Sequence, residues 1–317
     1  MEFTAQKTNG MDFRVLGPVE MHDLSTGARI VPSGAKQRAL LGAFVVRAGE
    51  VLSADRLIGE LWGDTPPPRA ANALQAHVAR LRRLLRNGTG GREWITTESV
   101  GYLLHLGDAT TDAERFRRLS AQGRAAFGAD PERAAGLLRR ALALWRGPAL
   151  EGSVGGPICS IEADRLEDAR LTVLEGALEA AMRGVPYDGL IDELERLARA
   201  HPTRERFCDL LMTALHRHGR RTEALGVYER TRQRLLSELG VEPGPALRGR
   251  MESILHHAPA AGVPIETSAT FAPDATFSDL GAEIVQLRAQ VACLTRHQEV
   301  LARRFDRLYA AEAAARI

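Results

Sequence analysis

The chain has 317 residues, 44% hydrophobic and only 5% aromatic, and its 42 Lys and Arg nearly balance 40 Asp and Glu, which leaves a formal net charge of +2. This composition supplies enough apolar side chains for two or three folded domains and predicts a mainly α protein with a small β component. No apolar run reaches 18 residues and no charged-then-apolar leader is present, so we expect a cytoplasmic protein without a membrane partner.

The chain begins with a predicted tail and a small sheet. Residues 1–10 are polar, and we expect them to be disordered. Apolar and polar residues then alternate through Phe13, Val15, Val19 and Met21, and the stretch ARIVPSG adds another short strand.

Two short helices are predicted next. Ser33 or Gly34 can begin the first, over AKQRALLGAFVVRAG, which ends at Gly49. Ser53 caps the second, which ends at Gly63 and the PPP run.

The third predicted helix, at residues 69–85, has one apolar stripe and one basic face. Leu74, Val78, Leu81 and Leu85 recur at spacings of four, three and four, so they pack on a core. The window from 69 to 92 contains six Arg and neither Asp nor Glu, so the basic face lacks the ion pairs of an ordinary solvated helix. Such a face is either a solvated arginine-rich surface or one whose counter-charge arrives with a partner, most often a polyanion.

The hairpin that follows completes a recognisable order of elements. Two apolar strands, WITT and VGYLLHL, come after a glycine-rich turn. A sheet, three helices and a hairpin are the order of a winged helix, in which the third helix enters the major groove and the hairpin lies against the backbone. We therefore predict a winged-helix domain over residues 11–108 that binds double-stranded DNA.

Side-chain chemistry assigns roles on the third helix. Ala76 and Ala79 are small enough for a close approach to the groove, Arg80 or Arg83 can bond guanine, and Asn72 can bond adenine. The remaining arginines suit phosphates. The predicted DNA-binding residues are Arg69, Asn72, Gln75, Ala76, Arg80, Arg82, Arg83, Arg86, Thr96, Thr97 and Ser99.

Some of these assignments have an alternative that the sequence leaves open. Arg82 lies on a flank of the helix and either binds phosphate or covers the edge of the core. Thr96, Thr97 and Ser99 either donate to phosphates or are ordinary exposed strand residues. His77 lies on the other flank and is interpreted as a helix-packing residue rather than a base reader.

The run AKQRALLGAFVVRAGEVLSADRLIGELWGDTPPPRAANALQAHVARLRRLL, with GYLLHL behind it, resembles the DNA-binding domain of the Streptomyces antibiotic regulatory protein family. The resemblance implies a winged helix of the response-regulator output type that binds short direct repeats at promoters. It also implies contact with RNA polymerase and its sigma factor.

Residues 109–258 predict an all-helical domain. PERAAGLLRRALALWRG and PTRERFCDLLMTALHRHGRRTEALGVYERTRQRLLSELG each resemble a tetratricopeptide unit of two antiparallel helices. The segments WRGPAL, EADRLEDARL and GVEPGPAL resemble the bacterial transcriptional activation domain, which follows the winged helix in the same family. The pairs form either a packed scaffold alone or a scaffold with a peptide groove.

The end of the chain predicts a linker and a coiled coil. Residues 259–277 are rich in Pro, Ala and Thr, and residues 278–317 carry a heptad pattern typical of a parallel two-stranded leucine zipper. The alternative is a lone amphipathic helix that folds back on the helical domain. The predicted homodimer contacts are Leu280, Ile284, Leu287, Val291, Leu294, Gln298, Leu301, Phe305 and Leu308.

The sequence gives no support for an enzyme. It contains no GxxxxGK[ST], GxSxG or HExxH motif, and Cys159, Cys208 and Cys293 lack metal-ligand or disulfide spacing, so we expect no catalysis, cofactor or metal. The residues and the resemblance together predict a dimeric transcriptional activator that binds promoters. The family implies that these promoters belong to a secondary-metabolite gene cluster. The alternative is a protein-interaction adaptor built on helical repeats, in which the acid-free face has no purpose.

Overall fold

The computed structural model describes residues 10–88, 92–184 and 189–256. The predicted tail up to residue 9, the linker at 259–277 and the zipper at 278–317 lie outside these ranges, so those three assignments stay predictions. The strands are β1 (Met11–Arg14), β2 (Glu20–Asp23), β3 (Arg29–Ile30), β4 (Val51–Ser53), β5 (Ile95–Glu98), β6 (Gly101–Leu104) and β7 (Thr110–Thr111). The helices are α1 (Ala35–Val46), α2 (Ala54–Trp62), α3 (Ala70–Gly88), α4 (Asp112–Ala126), α5 (Pro131–Leu142), α6 (Pro157–Arg183), α7 (Leu190–Ala200), α8 (Glu205–Arg217), α9 (Arg221–Leu239) and α10 (Pro245–His256).

The first sheet has the strand order β3-β2-β1-β7. Strands β1 and β2 pair antiparallel with Phe13 opposite Met21, and β7 pairs parallel to β1. Phe13, Val15, Val19 and Met21 are all buried, as predicted, but the alternation does not hold because their neighbours Asp12, Leu16 and Glu20 are buried as well. The apolar side chains place this sheet in the core that also supports α1 and α3.

The second sheet holds the hairpin, in the order β4-β6-β5. The hairpin was predicted, whereas β4 was not, because Val51–Ser53 is too short to show an alternation. Strand β6 lies close to β4 at Gly101. A Cβ at this position would lie 1.9 Å from the Leu52 carbonyl oxygen, so the pairing requires glycine here.

The first two helices begin at predicted positions. α1 begins after Gly34, one of the two predicted positions. The Ser53 side chain accepts a hydrogen bond from the Arg56 amide at the start of α2, and Gly63 ends that helix with φ 56°. Both assignments for α2 are confirmed.

The helical region follows the predicted breaks with one correction. PTRERFCDLLMTALHRHGRRTEALGVYERTRQRLLSELG forms the packed pair α8 and α9, with a turn at Gly219 and Ala224 buried, as predicted. PERAAGLLRRALALWRG, predicted to be a helix pair, contains α5 alone. Its partners are α4 and α6, because the residues after Leu142 form turns that lead into WRGPAL.

The described residues form two large hydrophobic cores and a small cluster of Ala134, Ala135 and Ala180. The first core contains the buried apolar residues of the winged helix together with residues of α4 and α5 and most of α6, up to Ala177. The second begins at Leu178 of α6 and contains α7, α8, α9 and α10. The winged helix and the first helices that follow it therefore share one core, and α6 spans both cores.

Candidate nucleic-acid interface

Helix α3 is held in the first core by its apolar stripe. Leu74, Val78, Leu81 and Leu85 are each no more than 1% exposed. The predicted stripe is therefore confirmed. Its burial leaves the opposite side of the helix facing outward.

The opposite side of α3 carries most of the predicted base and phosphate contacts. Arg69, immediately before the helix, and Asn72, Gln75, Ala76, Ala79, Arg80, Arg83 and Arg86 within it are exposed. Among the described residues, no acid forms an ion pair with Arg69, Arg80, Arg83 or Arg86. The result is a convex, positively charged surface with small residues at its centre, which we call the α3 face.

Arg82 differs from its neighbours because its guanidinium bonds to the hairpin. Nε donates to the Ile95 carbonyl at 2.9 Å and Nη2 donates to Thr97 Oγ1 at 2.8 Å. The guanidinium carbon also lies 5.7 Å from the centre of the Tyr102 ring. These contacts connect α3 to the hairpin, so Arg82 acts within the domain as a brace.

The hairpin hydroxyls that were predicted to bind phosphate are already partly engaged. Thr96 Oγ1 donates to Glu98 at 3.1 Å and lies 3.1 Å from His105 Nε2, while Thr97 accepts from Arg82. Ser99 is exposed in the turn between β5 and β6, next to Val100, which is 65% exposed. Ser99 is therefore the best placed of the three hydroxyl residues to reach a partner.

His77 joins the three helices of the winged helix. Its Nδ1 lies 2.9 Å from Gln37 Nε2 of α1, and its ring lies 5.9 Å from Trp62 of α2 in an edge arrangement. Burial, followed by the charges of Arg80 and Lys36, lowers the pKa of His77 below its usual value. The packing role predicted for His77 is confirmed.

Buried carboxylates, which the sequence analysis missed, join the sheet to α4. Asp112 accepts from the backbone amides of Val15 and Leu16 at 2.8 and 3.0 Å, and Arg146 donates to it at 3.2 Å. Burial raises the pKa of Asp112 against the opposing effect of these hydrogen bonds. The available signal was the sequence around Thr111 and Glu114, which form a capping box at this helix start.

A groove of about 790 Å³ lies on the helical domain. Glu195 and Arg199 of α7, Leu211 of α8, and Arg230 and Arg234 of α9 contribute to its lining. Its volume is within the range of about 300–1,000 Å³ that ligand pockets occupy. The helical pairs therefore form a groove, and a peptide as its occupant stays a prediction.

Two other kinds of site are absent from the part of the chain that the structure describes. None of its helices is both long enough and apolar enough to span a bilayer. No group of three or more His, Cys, Asp or Glu residues is arranged there to hold a metal ion.

Comparison with known proteins assigns a family description to each part of the chain. Residues 28–104 match the family described as "Transcriptional regulatory protein, C terminal", and residues 111–255 match the "Bacterial transcriptional activator domain". The first match ends at Leu104, the last residue of β6, and the second begins at Thr111, the last residue of β7.

Two relatives and one solved structure match both parts. The chain is 41% identical to the transcriptional regulator RedD of Streptomyces coelicolor over 257 residues, which is 80% of this chain and 73% of RedD. It is 35% identical to the regulatory protein DnrI of Streptomyces peucetius, covering 78% of this chain and 93% of DnrI. The structure of Mycobacterium tuberculosis EmbR in complex with a low-affinity phosphopeptide matches with a TM-score of 0.70 and 34% identity, over 77% of this chain and 65% of that chain.

Proposed function

Because the chain belongs to the Streptomyces antibiotic regulatory protein family of DNA-binding transcriptional activators, we propose that it binds direct repeats at promoters through the α3 face and recruits RNA polymerase. The family also supports a secondary-metabolite gene cluster as the target and a sigma factor as part of the contact. The protein would act in the cytoplasm, where a bacterial chromosome lies, and its role would be regulatory rather than catalytic.

The observation that carries this proposal is the charge on the α3 face. Six arginines and no acid occupy the window from 69 to 92, and the four exposed arginines of the face form no ion pair with described acids. Concentrated positive charge without internal partners raises the free energy of the isolated protein, and a row of phosphates lowers it by neutralising that charge. A solvated face that had no partner would gain from Glu residues at i,i+4 positions, and none is present.

The exposed side chains of the α3 face differ in length and in hydrogen-bonding groups, so we propose different DNA contacts for them. Arg80 and Arg83 are proposed to bond guanine, Asn72 to bond adenine, and Ala76 to contact a thymine methyl group. Gln75 offers a further amide to a base edge or a phosphate. Arg69 and Arg86, at the two ends of α3, are proposed to bind phosphates.

The contacts of Arg82 with the hairpin change the roles that we propose for the hairpin residues. Arg82, Thr96 and Thr97 have hydrogen bonds within the domain, so we propose that they position the hairpin rather than carry the main phosphate contacts. Ser99 keeps its proposed phosphate contact because it is exposed at the turn.

A homodimer would suit direct repeats because a second reading domain raises the local concentration of the first. The dimer contacts proposed from the sequence are the heptad positions from Leu280 to Leu308.

Variants of the α3 face test the proposal. Purified protein first selects its operator from random duplexes, and Arg80→Ala and Arg83→Ala are then compared with wild type on that duplex. Each variant is expected to lose about 1–3 kcal/mol of discrimination at one base pair and to show a shallower salt dependence. Arg133→Ala, which removes one exposed charge from α5, is the matched control and should bind as wild type. Wild-type binding by both α3 variants would contradict the assignment of the recognition face.

The groove gives the adaptor alternative one specific observation in its favour. An adaptor would bind a peptide there and would not select any operator from the random duplexes. Failure of the wild-type protein to enrich a sequence, with intact folding by circular dichroism, would therefore favour the adaptor over the activator.

A further inference from the structure

The longest described helix begins without a cap of its own. Gly156, at the N-cap of α6, has no side chain to bond the free amides, and Pro157 has no amide hydrogen. The next two amides donate to the carboxylate of Glu60 on α2, from Ile158 to Oε2 at 2.6 Å and from Cys159 to Oε1 at 2.9 Å. Glu60 therefore caps α6 from a different helix, and its charge also suits the positive end of the α6 dipole.

This contact is closed to water and tightly packed. Glu60 is 1% exposed, and a Cβ added to Gly156 would lie 2.3 Å from the Glu60 carbonyl oxygen. Cys159 Sγ also lies 3.6 Å from the carbonyl oxygen of Ala39 in α1. The start of α6 is thus fixed against both α1 and α2.

The same two helices also hold the recognition helix. Gln37 of α1 and Trp62 of α2 contact His77 of α3, and Glu60 lies only two residues before Trp62. The path from the α3 face to the start of α6 therefore passes through packed side chains of two short helices and no loop.

The far end of α6 lies in the second core. Leu178 and Met182 pack there with the residues of α7, α8, α9 and α10. A helix of 27 residues is about 40 Å long, so a tilt of about 5° at its start would move its far end by about 3 Å. The direction of α6 therefore sets where the distal helices lie relative to α3, and Glu60 fixes the first turn of a helix that also packs on α1 and α5.

We propose that Glu60 is a positioning residue, which fixes α6 as a rigid arm on the winged helix and so holds α7, α8, α9 and α10 at a defined place relative to the bound DNA. This inference rests on the proposed function, because a fixed place on DNA matters only to a protein that must meet RNA polymerase there. It adds a residue of the winged helix whose role is activation rather than binding.

Two variants loosen this contact from opposite sides. Glu60→Gln replaces one acceptor oxygen by an NH₂ group that faces a backbone amide, which leaves a buried donor without a partner. Gly156→Ala pushes the start of α6 away from the Glu60 backbone and leaves the winged-helix sequence intact. Glu50→Gln is the matched control, since it removes an exposed carboxylate that pairs only with Arg47 among the described residues. The α4 joint at Asp112 remains in all three.

The measurements separate binding from activation. For each variant, operator affinity is measured by fluorescence anisotropy, and run-off transcription with purified polymerase is measured on templates whose operator is moved one base pair at a time. We expect both α6 variants to bind within about twofold of wild type, to activate about tenfold less at the best spacing, and to show a broader spacing optimum. The control should match wild type in all three readings.

Each other outcome overturns the inference. Wild-type activation with an unchanged spacing optimum in both variants would show that Glu60 does not set the position of α6. A loss of operator affinity in both variants equal to their loss of activation would show that Glu60 only stabilises the DNA-binding fold. If the wild-type protein itself binds no operator, the proposed function fails first, which is a different result from either of these.

Discussion

Arg80, Arg82 and Arg83 lie within one turn of α3 but differ in their surroundings. Arg80 and Arg83 are exposed, whereas Arg82 bonds Ile95 and Thr97 of the hairpin. Sequence position could place Arg82 on a flank and leave two alternatives, but it could not show the carbonyl that the guanidinium reaches. Charge alone therefore does not show which arginines are engaged within the domain.

Arg82→Lys tests the brace at constant charge. A lysine cannot reproduce two directed bonds from one planar group, so we expect the free energy of unfolding to fall by about 1 kcal/mol. The salt dependence of operator binding should keep its wild-type slope, because the number of charges is the same. Chemical denaturation and salt-titrated anisotropy measure the two quantities. Arg86→Lys is the control, and equal stability of both variants would show that Arg82 does not hold the hairpin.

The half-buried ring of His77 predicts a pH dependence of stability. Its pKa in the folded protein is lowered from 6.5, so the unfolded chain binds the proton more readily as the pH falls below 6.5. The stability that depends on neutral His77 is fully present above pH 6.5 and is lost as the pH falls towards the lowered value. We expect the wild-type Tm to drop between pH 7.5 and pH 5.5, and His77→Gln to show a smaller drop. Equal drops in the two proteins would contradict this account.

At the scale of elements, local sequence rules were sufficient to predict a helix where a capping residue or a regular apolar spacing is present. Ser53 marks the start of α2 and Gly63 marks its end. The four-three-four spacing of apolar residues in α3 predicts its buried stripe. The rules were insufficient for β4, which has three residues and forms only because β6 pairs with it. They also failed for α5, whose partners α4 and α6 lie on either side of it rather than inside the matched segment.

Buried carboxylates were missed for a related reason. Glu60 is three residues from Leu57 and one from Leu61, so helical spacing places it on the buried side of α2. An acid on an apolar side was the available signal. Its partner could not be predicted, because the amides of Ile158 and Cys159 are almost a hundred residues away.

Gly101 is the element-scale position that a small change should disrupt. A Cβ there would overlap the Leu52 carbonyl at 1.9 Å, so Gly101→Ala must separate β4 from β6. We expect a loss of about 2 kcal/mol or more in the free energy of unfolding, typical of a forced backbone shift. Gly59→Ala in α2 is the matched control, because a Cβ there meets nothing within 4 Å and should stabilise the helix by about 0.5–1 kcal/mol. A Gly101→Ala protein as stable as wild type in urea would contradict the register.

At the scale of the whole molecule, the boundary between the two family matches does not coincide with the boundary between the two large hydrophobic cores. The family matches meet between residues 104 and 111, while the first hydrophobic core continues past that point to Ala177. Sequence patterns mark where a repeat or a composition changes, but a shared core arises from contacts between distant residues. For this reason we expect the winged helix and the first helices after it to unfold together.

The predicted zipper is tested by deletion of residues 278–317. If heptad contacts from Leu280 to Leu308 hold the dimer, the full chain should sediment as a dimer at micromolar concentration and the shortened chain as a monomer. Sedimentation velocity gives both masses directly. A shortened chain that stays dimeric would assign the interface elsewhere, and a full-length monomer would favour the helix that folds back.

The central claim is that the α3 face binds the phosphates and bases of a DNA duplex, and the salt dependence of operator binding tests it most directly. Affinity is measured by anisotropy as the salt concentration rises from about 50 to 200 mM, for wild type and for Arg83→Ala. The account predicts a linear fall of log K with log salt, with a slope for Arg83→Ala that is shallower by about 1. Absence of binding to any duplex at the lowest salt, or identical slopes for the two proteins, would contradict it.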